Sequence, residues 1–185
     1  MSDLFDHDGK KPDDTARRFV PPEPDLGTLK EVGELAGYLF ETAGALGARL
    51  GPLLFQLPPH MKKDLERLQR FLELVPAERK VALEFRNASW FEDDVFAALR
   101  AHDAALCVAE TEASDKEGGG LEVPFAGTAS WGYLRLRRAQ YSDADLQRWL
   151  ERMRGQGWSE AYVFFKHEDD GTAPKFAQRL MGLAG

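Results

Sequence analysis

The chain has 185 residues, of which 43% are hydrophobic and 30% charged, a composition that fits one globular domain with a buried core. Its formal net charge of −7 excludes an overall positive field that would attract nucleic acid or an anionic membrane, so nucleic-acid binding has no support from charge. No apolar stretch approaches the roughly 20 residues that a membrane helix needs. The single cysteine, Cys107, excludes an internal disulfide, and the amino terminus lacks a signal-peptide pattern. We therefore expect a cytoplasmic protein without a membrane partner.

The amino-terminal residues 1–27 are rich in Asp, Lys and Pro and have no sustained hydrophobic periodicity. This composition predicts a flexible arm. Residues 28–185 are predicted to form one folded domain, which begins with a helix from Leu29. Apolar residues at helical spacing continue from there to Leu46.

Strand and helix patterns then alternate along the rest of the chain. Apolar runs predict five strands, over residues 52–57, 81–86, 105–109, 132–137 and 160–166. Helical spacing follows each of these strands except the third, which leads into a glycine-containing loop. Ser89 with Glu92 predicts a capping box for the helix after the second strand, and Ser142 is the predicted cap after the fourth.

This alternation predicts right-handed crossovers and a mainly parallel α/β sheet. A closed (β/α)₈ barrel needs eight such units and typically about 250 residues. The chain shows about five units, so the predicted fold is an incomplete TIM-barrel-like fold. Its sheet would have two exposed edges, and a homodimer that covers them is one expected arrangement.

Charged residues alternate with apolar ones where the second and fourth predicted strands end. Alternate side chains of a strand share a face, so Glu84 and Arg86 point one way, as do Arg135 and Arg137. We assign the apolar alternation outward, toward the helices. The inward set is then Gln56, Glu84, Arg86, Tyr133, Arg135, Arg137, Tyr162, Phe164 and Lys166. Parallel β/α sheets gather ligand groups at the carboxyl ends of their strands, which is where these charges lie.

Several cations around one carboxylate favour a small anionic ligand that carries phosphate or carboxylate. The predicted binding residues are Arg86, Trp90, Tyr133, Arg135, Arg137, Lys166 and His167. Glu84 would orient Arg86 or act as a general base. Hydrolysis is the least specific reaction that can be assigned to such a base. A structural ion-pair network inside the barrel remains the alternative.

Two further features have competing interpretations. The run 167–171, with Glu110 and Glu112, offers oxygen and imidazole ligands to a divalent metal, but it satisfies no metal-binding spacing, and the sequence favours a solvated acidic turn that caps the last helix. The metal and any cofactor therefore stay unassigned. Trp90 follows a charged strand end, where it would stack on a base or sugar or would seal the barrel rim.

Four sequence runs together resemble the YecE-like family. They are Leu50 to Pro59, Glu84 to Phe91, Trp131 to Arg137, and Tyr162 to Glu168. The resemblance extends from about Leu29 to the end and implies a TIM-barrel-like fold in a domain of unknown function, without an established reaction. Family members commonly have His at the position of Asn87, and they begin with three further strands whose motifs are absent from residues 1–49. The resemblance therefore implies the carboxyl-terminal part of a barrel. Such a chain would be an active enzyme, a non-catalytic binding or regulatory module, or a truncated fragment without independent activity.

Overall fold

The computed structural model of the protein describes residues 29–110, 120–165 and 171–185. The predicted arm over residues 1–27 lies outside these ranges. The strands are β1 Leu53–Gln56, β2 Val81–Glu84, β3 Ala105–Glu110, β4 Gly132–Leu136 and β5 Ala161–Phe165. The helices are α1 Leu29–Gly44, α2 Leu65–Glu73, α3 Asp93–Ala101, α4 Asp143–Arg154 and α5 Ala173–Ala184. Among the helices of these ranges, none is long and apolar enough to cross a membrane.

The described strands form one parallel sheet in the order β1-β2-β3-β4-β5, with helices alternating between them. The sheet is a curled half-barrel, which confirms the predicted incomplete TIM-barrel-like α/β fold. Because β1 and β5 are its terminal strands, they form its two edges. The homodimer across those edges stays a prediction that sedimentation equilibrium would test.

The convex face of the sheet carries the main hydrophobic cores. Leu83 and Phe85, from β2 and the residue after it, pack among buried side chains of α1, α2 and α3. Leu134 and Leu136 of β4 pack against α4 and α5 in a second core. Alternation therefore sends Leu83, Phe85, Leu134 and Leu136 outward, as the sequence predicts, and leaves the opposite positions for the concave face.

The amino end of the concave face is filled by aromatic and paired charged side chains. Lys80, just before β2, forms an ion pair with Glu160, just before β5. The Lys80 ammonium also lies 5.7 Å from the centre of the Trp131 ring and 5.9 Å from that of Tyr162. These contacts connect the amino ends of β2 and β5 across the curled sheet.

The two predicted helix caps have different outcomes. Ser142 and Asp145 form a complete capping box at the start of α4, which confirms the prediction there. The capping box predicted at Ser89 is wrong, because α3 begins at Asp93 and Glu92 makes no side-chain capping bond. Ser89 lies instead in a 3₁₀ turn, and its hydroxyl accepts a hydrogen bond of 2.9 Å from the backbone N–H of Lys63.

Thr128 connects the approach to β4 with the start of β3. Its buried hydroxyl donates to the carbonyl of Ala104 at 2.9 Å and accepts from the N–H of Leu106 at 2.7 Å. We expect Thr128→Val to lower the free energy of unfolding by about 1–3 kcal/mol, because two buried backbone groups lose their partner. Urea unfolding would measure this. The matched control is Thr172→Val, since the Thr172 hydroxyl is also buried but has no hydrogen-bond partner in the described part of the chain. Equal losses in both variants would contradict the prediction.

Candidate functional site: a buried carboxylate with three arginines

The candidate site is centred on the Glu84 carboxylate, which is fully buried on the concave face at the end of β2. Arg86 Nη1 donates to Glu84 Oε1 at 3.0 Å, and Arg135 Nη1 donates to Oε2. Arg137 Nη2 lies 3.9 Å from Oε1. The structure thus brings four of the predicted site residues together around one carboxylate.

Small side chains on the intervening strand allow these contacts. Strand β3 lies between β2 and β4, and it presents Cys107 and Ala109 to the concave face. Ala109 is the register partner of Arg135. With only a methyl group beside it, the Arg135 side chain extends across β3 to reach Glu84 on β2. The sequence shows these small residues at alternate positions of β3, but the strand order is needed to see that they lie between Arg135 and Glu84.

Arg135 also reaches the first strand of the sheet. Its Nη1 donates to Gln56 Oε1 at 3.1 Å in addition to Glu84. Both contacts use Nη1, so within the described ranges Nε and Nη2 of Arg135 have no hydrogen-bond partner. The Arg135 side chain is 18% exposed, whereas that of Glu84 is fully buried. One edge of this guanidinium therefore remains available for another acceptor.

Two neutral groups complete the surroundings of Glu84. The Cys107 thiol donates to Glu84 Oε2 at 3.8 Å, and burial, reinforced by the charge of Glu84, raises its pKa well above the usual range. Burial likewise raises the pKa of the Tyr133 phenol, which lies two residues before Arg135 on the same face. Both groups therefore stay protonated at neutral pH, and Cys107 is not an activated nucleophile.

Trp90, another predicted binding residue, is not brought to this cluster. Trp90 packs in the convex core, with its ring stacked on Phe85 at a centroid distance of 4.7 Å and an interplanar angle of 5°. Its indole N–H donates to the Met61 carbonyl at 2.9 Å. Trp90 is therefore a buried core residue in the described structure and does not line the concave face. Lys166 and His167 lie outside the described residues.

The proposed metal ligands are also only partly described. Glu112 and residues 167–170 lie outside the described ranges. Glu110 accepts a hydrogen bond from the Tyr141 hydroxyl and lies 3.0 Å from Arg138 Nε, so its carboxylate has structural partners. Within the described residues, no group of three or more His, Cys, Asp or Glu side chains could hold a metal ion.

Comparison with known proteins gives a family and a fold. No curated protein matches the chain. The structure is similar to a DUF72 family protein from Thermotoga maritima, with 23% sequence identity, a TM-score of 0.69, and coverage of 82% of this chain and 65% of that one. It is also similar to a DUF72 family protein from Enterococcus faecalis, with 15% identity, a TM-score of 0.68, and coverage of 82% and 66%. The aligned region thus spans just under two thirds of each of those chains.

At these identities the structural likeness shows the fold, and the sequence match shows the family. The family model described as "Protein of unknown function DUF72" matches residues 23–185, which is most of the chain. The resemblance to YecE-like sequences is consistent with this match. The chain belongs to the DUF72 family.

Proposed function

We propose that this protein binds a small anion at the carboxyl end of its sheet and that Arg135 is the principal binding residue. The observation that carries the proposal is the partly exposed Arg135 guanidinium, whose Nε and Nη2 have no partner in the described part of the chain. Those two N–H groups form a planar fork that matches the oxygen pair of a carboxylate or a phosphate. Glu84 and Gln56 hold the opposite side of the same guanidinium.

The surrounding charges and burial support this proposal. Arg86 and Arg137 also lie within 4 Å of the Glu84 carboxylate. Together with Arg135 they surround it with positive charge from the ends of two strands. Arg137 is 12% exposed and, like Arg86, has further interactions, so Arg135 carries the argument. Limited solvent access strengthens charge-assisted hydrogen bonds, because water competes less for the guanidinium.

Binding fits Glu84 better than hydrolysis does. A general base needs to lie within hydrogen-bond distance of the proton that it removes, directly or through one water. Glu84 is enclosed, and both of its oxygens already accept hydrogen bonds from guanidinium groups. This arrangement favours Glu84 as the residue that orients the arginines. A hydrolase acting on a phosphate- or carboxylate-bearing substrate is the alternative, and phosphatase or esterase turnover that Glu84→Gln abolishes would support it.

Isothermal titration of the full chain with inorganic phosphate and with acetate tests the proposal. We expect Arg135→Gln to weaken binding by roughly tenfold to a hundredfold, because charge-assisted hydrogen bonds are lost. Arg135→Lys should restore the charge but only part of the affinity, since Lys lacks the planar fork. Arg148→Gln is the matched control, because Arg148 pairs with Asp145 on an exposed part of α4.

Two outcomes would contradict the proposal. One is no heat of binding and no rise in melting temperature with either anion at millimolar concentration. The other is an affinity that Arg135→Gln leaves unchanged while Arg148→Gln lowers it. Thermal melts of each variant establish that the titrated protein is folded.

A further inference from the structure

We propose that the anion bound by Arg135 is carried on a planar aromatic ring and that this ring lies against Phe164. This inference rests on the proposed function and adds the class of ligand. Arg135 of β4 and Phe164 of β5 are register partners in the parallel sheet. Register partners on adjacent strands lie about 5 Å apart with side chains on the same face, so Phe164 stands directly beside the arginine on the concave face.

Phe164 is backed on one side and open on the other. Its ring stacks on that of Tyr133 with a centroid distance of 5.0 Å and an interplanar angle of 29°. Tyr133 is itself buried and makes an edge contact with Trp131, so it forms a fixed support. Phe164 nevertheless remains 48% exposed. The concave face therefore offers a supported aromatic surface on the strand next to the one that carries Arg135.

Single exposed apolar residues are common on protein surfaces, so exposure alone carries no argument. The position of Phe164 is what distinguishes it. The other large apolar side chains that are exposed in the described ranges lie on helices or beside helix ends: Leu35, Tyr38, Leu39, Leu46, Leu74 and Met181. Phe164 is the one that lies on a strand, and it shares the concave face with Arg135.

This juxtaposition matches a ligand with two different parts. A phosphate or carboxylate group would take the Nε and Nη2 edge of Arg135, while a ring attached to that group would cover Phe164. Aromatic pairs prefer offset-stacked or edge-to-face arrangements with ring centroids about 4.5–7 Å apart. Such a pair contributes binding free energy beyond that expected from the apolar area that it buries. An anion without a ring would leave Phe164 in water. The site should therefore discriminate between anions of equal charge by the group attached to them.

Titration with methyl phosphate, cyclohexyl phosphate and phenyl phosphate tests this inference, because the three share one anionic group. We expect phenyl phosphate to bind about fivefold more tightly than cyclohexyl phosphate, which supplies apolar area without an aromatic ring. Methyl phosphate should bind most weakly. Phe164→Leu should remove the preference for phenyl over cyclohexyl phosphate while leaving the methyl phosphate affinity within about twofold, since that ligand does not reach the ring.

Phe165→Leu is the matched control. It lies one residue further along the same strand but faces the convex core, where its ring contacts Tyr141 and Phe176 at centroid distances of 5.4 and 5.9 Å. We expect this variant to melt at a lower temperature than the wild type and to retain the preference for phenyl phosphate. Loss of the preference in Phe165→Leu but not in Phe164→Leu would overturn the inference.

The titrations separate this inference from the function on which it rests. Equal affinity for phenyl and cyclohexyl phosphate, with methyl phosphate still bound in an Arg135-dependent way, would overturn the aromatic ligand and keep the anion site. Failure of all three phosphates and of acetate to bind would overturn both proposals.

Discussion

Replacing Glu84 by Ala is expected to lower the free energy of unfolding by about 3–5 kcal/mol, because the variant leaves buried guanidinium groups without their carboxylate. Glu84 is fully buried, and Arg86, Arg135 and Arg137 all lie within 4 Å of it. Urea unfolding of the two proteins, followed by circular dichroism, would measure the difference. A loss of this size is a large fraction of the stability of an ordinary domain.

A surface carboxylate provides the control for Glu84→Ala. Glu66 pairs with Arg70 one turn away on α2, and both side chains are exposed. Glu66→Ala should therefore change the unfolding free energy by less than about 1 kcal/mol, since exposed pairs contribute little. Similar losses in the two variants would show that Glu84 does not hold the arginines together.

Acetate adds a second measurement that separates charge from packing. In Glu84→Ala, acetate is a carboxylate small enough to occupy the space left by the side chain. We expect its melting temperature to rise with acetate concentration more than that of Glu66→Ala, because binding to the native state stabilises it. An absence of this difference would count against the charge-based explanation.

The second large effect is expected from Gly132→Ala at the start of β4. A Cβ atom at Gly132 would lie 2.3 Å from both Cε3 and Cζ3 of Trp158, a contact that the rigid indole cannot accept without moving. Trp158 in turn packs on Phe125 with ring centroids 5.6 Å apart. We expect the free energy of unfolding to fall by about 1–3 kcal/mol, the usual cost of overpacking. Thermal unfolding would measure the change.

Two further variants identify the cause of the Gly132 effect. Gly37→Ala, within α1, meets no atom of the described residues within 4 Å and should raise stability by about 0.5–1 kcal/mol, because alanine is the better helix former. Trp158→Leu combined with Gly132→Ala should lose less stability than the sum of the single variants, since the smaller side chain relieves the clash. Strict additivity would argue against a direct contact between the two residues.

The sequence predicts most of the fold and the centre of the site for one physical reason. Strand side chains alternate with a period of two, so Glu84 and Arg86 share one face while Leu83 and Phe85 share the other. The structure shows this division in the convex core and the concave charge cluster. Because the sheet is parallel, the carboxyl ends of β2 and β4 lie at the same end of the sheet, where Arg135 contacts Glu84.

What the sequence leaves unpredicted depends on turns and on curvature. Trp90 lies in a 3₁₀ turn beyond β2, where strand alternation no longer determines which way a side chain points. The late start of α3 follows from the same turn. The contact of Gln56 with Arg135 joins β1 to β4, and such a contact requires the sheet to curl. Curl is a property of the assembled strands, because each strand contributes only a small twist.

The central strand of the sheet has a consequence for how this site tolerates change. β3 supplies no charged group to the cluster. Its small residues Ala109 and Cys107 nevertheless leave the space through which the Arg135 side chain of β4 reaches β2. A larger side chain at Ala109 would keep Arg135 from reaching Glu84 and so abolish anion binding, although every polar residue of the site remained unaltered. Inspection of charged positions alone would then miss the loss, because the decisive property of this strand is how little space it occupies.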